Sequence, residues 1–339
     1  MTAFHAAAFF GHVDVLWLLV RKGAYIEDKV RGTISIIIFK PSGARKLVPI
    51  ENPTPLQLTA ARGHFEATKS LLQWGANPGQ DTEDSSLSWA IQSGSTSTFK
   101  LIDKHTTVLP TNYALIVAVE FGRLEIAGCL LDKGADPYTV RNTDGYSALG
   151  VAILEGHSSI VELLLDRGAD PHAGACGYYT PLTLAAENGY RDIVEILLDR
   201  GVDPNQVGKG VDGALHAAAW AGHRDIVRLL LDRGADVDKS DQDGWTALMS
   251  AAGNGFEEIV ELLLQKGANP NLTDDEKLTA LDRAREDGFQ ETVELLREYG
   301  GESGPDDDSE EDDGDDTDED EEEYGEEDER EGEGGTNGD

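Results

Sequence analysis

Eight histidines are the residues best placed to do chemistry in this 339-residue chain, because imidazole can bind a metal or move a proton near neutral pH. Their spacing points elsewhere. His12, His64, His157 and His223 each directly follow a glycine, and His5 and His216 hold the fourth place of two matching segments, Thr2-Ala3-Phe4-His5 and Gly213-Ala214-Leu215-His216. Such periodic placement assigns six of the eight to structure, with imidazoles hydrogen-bonding turn backbone. His105 and His172 remain, and no Cys/His cluster has zinc spacing. The chain has no Gly-x-x-x-x-Gly-Lys-Ser/Thr phosphate loop and no Gly-x-Ser-x-Gly elbow. Its many Asp/Glu pairs fit a solvated acidic surface. No catalytic residue, metal or cofactor is expected, and the chain is not read as an enzyme.

The frame that places these histidines is a set of glycines at 11, 63, 94, 122, 156, 189, 222, 255 and 288. The last five stand 33 residues apart, and twelve residues after each of the nine comes a second glycine, except in the third unit, where Thr106 takes its place. A 33-residue period describes stacked units that bury their apolar faces on one another. In the clearest unit, Thr180-Pro181-Leu182 opens a helix, with Thr as cap and Pro in the first turn. Leu182, Leu184, Ala185 and Ala186 make its apolar side, and Gly189 ends it. Ile193, Val194, Ile196, Leu197 and Leu198 then recur at helical spacing up to Gly201.

This pattern resembles the ankyrin repeat, a helix–turn–helix with a β-turn finger. Its marks here are Thr54-Pro55-Leu56-Gln57, Thr180-Pro181-Leu182-Thr183 and Gly213-Ala214-Leu215-His216, with Gly222-His223 and Gly234-Ala235-Asp236 downstream. Thr246-Ala247-Leu248 and Thr279-Ala280-Leu281 are close variants. The resemblance runs through about nine units and implies an all-α solenoid that binds partner proteins on a concave face of fingers and first helices.

Two units depart from the frame. The first finger carries 19 extra residues, with β-rich runs Thr33–Lys40 and Lys46–Ile50 around Pro41-Ser42-Gly43, so a β-hairpin is expected at about 30–50. The third unit is short between Thr106 and Tyr113 and has polar Ser97 and Thr98 early in its second helix, which predicts an irregularity.

Charge divides the chain. Residues 302–339 hold 23 of the 65 acidic residues and one basic one, giving −22 of the total −37. The expected domains are a solenoid over 1–301, its first repeat truncated, and a disordered acidic tail over 302–339. The acidity argues against nucleic acid and against an anionic membrane. No apolar run is long enough to span a bilayer, no signal peptide is visible, and Cys129 and Cys176 read as free thiols. An intracellular location follows, cytoplasmic or nuclear. The first unit offers Ala6, Ala7, Phe9 and Phe10 with no polar repeat before it, so the chain is expected to continue a longer array or to have a partner covering this end.

Two surfaces could serve partners. Tyr146, Tyr179 and Trp245 precede helix openings on the fingers, while Phe121, Leu154 and Trp220 lie at the ends of first helices. Together they form the expected binding patch, against a reading in which they only pack the fingers. A second line, just before the glycines that end second helices, includes Lys133, Arg167, Arg200, Arg233 and Lys266. Helix dipoles alone favour cations there. The sharper expectation is that the acidic tail docks along them, since 38 flexible residues span about 35 Å. An alternative function follows from the tail itself, as a binder or chaperone of basic proteins such as histones.

Overall fold

The computed structural model describes residues 1–41, 43–79, 85–106, 112–141, 143–172, 179–208 and 213–304. The helices come in successive pairs. The first is α1 (Ala3–Phe10) with α2 (Val13–Arg21), followed by a hairpin of β1 (Thr33–Phe39) and β2 (Arg45–Glu51). Then come α3 (Pro55–Ala61) with α4 (Phe65–Gln73), α5 (Ser86–Ser93) with α6 (Thr96–His105), and α7 (Asn112–Glu120) with α8 (Leu124–Asp132). The regular part holds α9 (Ala148–Leu154) with α10 (Ser158–Asp166), α11 (Pro181–Glu187) with α12 (Arg191–Asp199), and α13 (Ala214–Trp220) with α14 (Arg224–Asp232). It closes with α15 (Ala247–Gly253), α16 (Glu257–Gln265), α17 (Ala280–Glu286) and α18 (Gln290–Glu298).

First helices pack on first helices and second on second, so one apolar layer runs through the stack. Alanines make this close approach possible: Ala185, Ala186, Ala218, Ala219, Ala251 and Ala252 are all fully buried. The openings act as read from the sequence. Thr54, Thr180, Thr246 and Thr279 accept the amide of the residue three places on, which satisfies a donor no helix can pair internally. At α13 the cap is Gly213, which has no side chain to offer.

Gly189 shows why the turn must be glycine. Its φ is +76°, and a Cβ there would lie 2.6 Å from the His223 ring of the next pair. In several units the residue after the turn glycine does not cap its own helix but reaches back across the stack, whereas Ser95 caps α6. His64 Nε2 hydrogen-bonds the Phe9 carbonyl at 3.0 Å, and His223 Nε2 the Glu187 carbonyl at 3.0 Å. Tyr190 does the same through its hydroxyl, 3.4 Å from the Leu154 carbonyl.

The hairpin is antiparallel, with Ile36 opposite Val48 and Ile38 opposite Lys46. Its turn residue Ser42 lies outside the described residues, as do 107–111 in the short third connection and Cys176. Cys129 is a half-buried free thiol. At the amino end Phe10, Trp17 and Leu18 stand exposed, whereas Ala7 is buried and Ala6 and Phe9 are half-buried within the first pair.

Residues 1–304 form one compact unit. This unit includes Glu302, Ser303 and Gly304. Glu302 donates its amide to Asn271 Oδ1 at 2.8 Å, and Gly304 donates to Asp282 Oδ2 at 2.8 Å, so these residues complete the last pair. The rest of the acidic tail, 305–339, lies outside the described residues.

Candidate partner-binding face

The hairpin is an arm that crosses the ends of first helices. Ile36, Ile38 and Ile50 on its inner face are buried, and β1 packs on α5. Two lysines on that same face reach further. Lys40 pairs with Glu155 beyond the end of α9, and Lys46 Nζ pairs with Glu120 Oε1 of α7 at 2.8 Å. Both ammonium groups sit over the Phe121 ring, 5.9 and 4.8 Å from its centroid. Arg123 fastens the tip: its Nη2 donates to the Phe39 carbonyl at 2.7 Å and to the Gln92 carbonyl at 2.6 Å. Burial pushes its pKa below the usual arginine value.

This arm changes the expected patch. Phe121 is 4% exposed, covered by the arm's lysines, and offers no surface to a partner. Leu154 is half-buried at the end of α9. On the fingers, Tyr146, Tyr179 and Trp245 are half-buried against the core layer rather than pointing freely outward. Arg141 lies over Tyr146 at 5.8 Å and Arg283 over Trp245 at 4.5 Å. Trp220 alone of the six is exposed, at 56%.

The basic line is a ladder of ion pairs between successive units. Lys133 pairs with Asp103, Arg167 with Asp132 at 2.9 Å, and Arg200 with Asp166 at 2.9 Å. Arg233 meets Asp199 at 2.8 Å and Lys266 meets Asp232 at 2.7 Å. The hydrogen bond from Lys266 holds the Asp232 pKa below the usual carboxylate range. An acidic tail arriving here would meet cations that already have partners.

The stacked helix pairs, glycine turns and cross-unit histidines agree with a comparison against protein families. The model described as ankyrin repeats (3 copies) matches residues 102–175, 168–241 and 215–307, and the single ankyrin repeat model matches 1–30. The chain belongs to the ankyrin repeat family. A search of curated proteins found no match. Ankyrin repeats are protein-interaction modules, and His5, His64 and His223 of this chain bond backbone carbonyls outside their own helices. His5 joins Thr2 Oγ1 at 2.6 Å to the Asp28 carbonyl at 2.8 Å.

One constellation in the ankyrin stack has the order of a charge relay. Ser250 Oγ hydrogen-bonds His216 Nε2, and His216 Nδ1 lies 3.5 Å from Asp241 Oδ2. Ser250 is fully buried, however, so its hydroxyl lies inside the helix layer and not on a surface. The trio ties α13 to α15 and to the finger before it. Among the described residues no His/Cys/Asp/Glu group could hold a metal, and no helix is long and apolar enough to cross a membrane.

Sequence reasoning missed the anchors of the arm. Two signals were present. Arg123 stands after Gly122, where His64 and His223 stand in their units, and Lys40 and Lys46 occupy inner-face positions of a strand pattern, where a charge requires a partner.

Proposed function

We propose that this chain is an interaction scaffold of nine ankyrin repeats that binds partner proteins through the concave face of fingers and first helices. The count takes the pairs α3/α4 and α5/α6 as repeats of the same kind, since they carry the same hydroxyl caps and turn glycines. The observation that carries the reading is Trp220, a large aromatic side chain exposed at the end of α13 and held by no packing role. Tyr179, Trp245, Leu154 and Tyr146 supply half-exposed apolar surface in the neighbouring repeats. Aromatic anchors of this kind dominate interface energies, and truncating one commonly costs about 2 kcal/mol or more. Phe121, covered by the arm, does not belong to this face.

A second reading rests on the −22 charge of residues 302–339, which suits a binder of basic proteins such as histones. One experiment separates the two. Affinity capture is run with the whole chain, with residues 1–304, and with Trp220→Ala in the whole chain. A partner kept by 1–304 and lost by Trp220→Ala supports the scaffold. Capture that follows the tail and ignores Trp220 overturns it in favour of the polyanion.

A further inference from the structure

The arm that covers the first-helix ends has a second face. In the hairpin, Lys40 donates its amide to the Ala44 carbonyl and Asn52 to the Gly32 carbonyl, which puts the ladder hydrogen bonds on even-numbered residues. The odd-numbered residues form the outer face and point their backbone groups to the two edges. That outer face is unusually apolar for solvent. Ile37 is 47%, Phe39 59% and Leu47 65% exposed, and Ile37 and Leu47 stand directly opposite each other. Arg45 sits over the Phe39 ring at 5.7 Å.

The two edges differ. On β1 the outward Phe39 carbonyl is taken by Arg123, and the strand packs on α5. On β2 the outward groups of Arg45 and Leu47 meet no backbone partner among the described residues, and Pro49 ends the open stretch because it has no amide proton. Charge sets the arm apart as well. Residues 29–50 contain Lys29, Arg31, Lys40, Arg45 and Lys46 and no acidic residue, in a chain of net charge −37. Lys40 and Lys46 are used to hold the arm down, whereas Lys29, Arg31 and Arg45 are exposed with no acidic partner among the described residues. Below the arm, Glu120 also lines a cleft of about 570 Å³ bounded by Tyr113, Ile116, Thr139, Val140 and Arg141.

We propose that the outer face and β2 edge of this arm dock an extended acidic segment of a partner protein, with apolar residues at alternate positions, as a third strand. An added strand gains main-chain hydrogen bonds from Arg45 and Leu47, and its alternate side chains fall on one face. Apolar ones on the outer face meet Leu47 and reach toward Ile37 on the next strand. Acidic ones alternate to the other face, where Lys46 stands, and the exposed Arg45, Arg31 and Lys29 attract them through the positive field of the arm. The arm is rigid before the partner arrives, because ion pairs and Arg123 fix it across several repeats, so little ordering cost falls on the arm's side. This surface is distinct from the Trp220 face, and either can fail without the other.

The test uses the full chain and fluorescence anisotropy of a labelled peptide, Val-Glu-Ile-Asp-Val-Glu. A block-ordered peptide of the same composition, Val-Val-Ile-Glu-Glu-Asp, and a single-stranded DNA of similar charge are the comparisons. The alternating peptide should bind at least tenfold more tightly than either. Leu47→Pro removes one outward amide on an edge that already accepts Pro49, and should abolish binding; Arg45→Glu should weaken it at least tenfold. Leu47→Thr, which keeps the strand, should lose part of the affinity while hydrogen exchange of 33–51 stays unchanged. Equal binding of all three probes, or no binding of the alternating peptide, overturns the proposal. So does undiminished binding by Leu47→Pro, or tighter binding after Lys40→Glu with Lys46→Glu, which would make the arm a cover over the groove.

Discussion

Arg123 and Phe39 stand 84 residues apart in the chain and are joined by one hydrogen bond, from the guanidinium Nη2 to the Phe39 carbonyl at 2.7 Å. The same nitrogen donates to the Gln92 carbonyl, the contact that His64 and His223 make in their own repeats. Arginine thus does the ordinary stacking job and holds the arm as well. Arg123→His should keep the first role and lose the second. Amides of 33–39 are then expected to exchange faster while global stability falls by no more than about 1 kcal/mol. Arg123→Ala leaves both carbonyls without this donor and should cost about 2–3 kcal/mol in urea unfolding. Equal effects of the two variants on arm exchange and on stability would show that the guanidinium does not divide its work this way.

The histidines that bridge repeats predict an acid sensitivity. Burial pushes the pKa values of His64 and His157 below the usual histidine value, so the folded state favours neutral rings. The unfolded chain takes up a proton near pH 6.5 and the folded chain only at lower pH. Stability from these groups is therefore complete above about 6.5 and is lost as pH falls through the folded values. The urea midpoint should drop between pH 7.5 and 5.5. Carboxylates such as Asp144, whose pKa is lowered by its hydrogen bond from Arg141, titrate below this window. His64→Gln with His157→Gln should flatten the slope; an unchanged slope would place the sensitivity elsewhere.

How far the sequence carries can be judged residue by residue. The period of glycines and the Thr/Ser openings give the helix pairs, because each is a local demand of backbone geometry that one residue type meets. The hairpin was legible for the same reason, as two β-rich runs about Pro41 and Gly43. Its resting place was not, since it depends on contacts such as Lys40 to Glu155 that join positions 115 residues apart. That docking places Lys40 and Lys46 over Phe121. The finger aromatics were visible as residue types, but whether Tyr146 stands free or lies beneath Arg141 is a matter of packing between units. Trp220 stands exposed at the end of α13, whereas the corresponding Glu187 of α11 and Gly253 of α15 are half-buried, a difference set by side-chain size and by the neighbouring repeat.

The ion-pair ladder should contribute little to stability one pair at a time. Arg233 and Asp199 are a third to two-thirds exposed, and pairs of this kind are screened and entropically costly to hold. A double-mutant cycle with Arg233→Ala and Asp199→Ala is expected to give a coupling of about 0.5 kcal/mol at low salt, fading at 1 M salt. A coupling above about 1.5 kcal/mol that resists salt would contradict this and would mean that the pairs act as a cooperative network.

Arg283 is a different case, because its partner is buried. Its Nη2 and Nε both reach Asp274 Oδ2, at 2.5 and 3.0 Å, and Nη2 lies 2.7 Å from Glu276. Burial opposes the charge, yet the bonds to Asp274 and Glu276 raise the Arg283 pKa above its usual value. The Asp274 side chain is fully buried and also accepts the amides of Glu276 and Leu278, so it orders the whole last finger. Removing the arginine leaves that carboxylate without its cation, and Arg283→Ala should cost about 3–5 kcal/mol. Repeat arrays open from their ends, so the loss should appear first as faster exchange in α17 and α18. Adding Asp274→Asn to Arg283→Met removes the orphaned charge and keeps an acceptor for the amides. The pair should recover more than half of the loss seen with Arg283→Met alone. If it recovers none, the cost lies in the stacking of Arg283 on Trp245, and the ion pair is incidental to it.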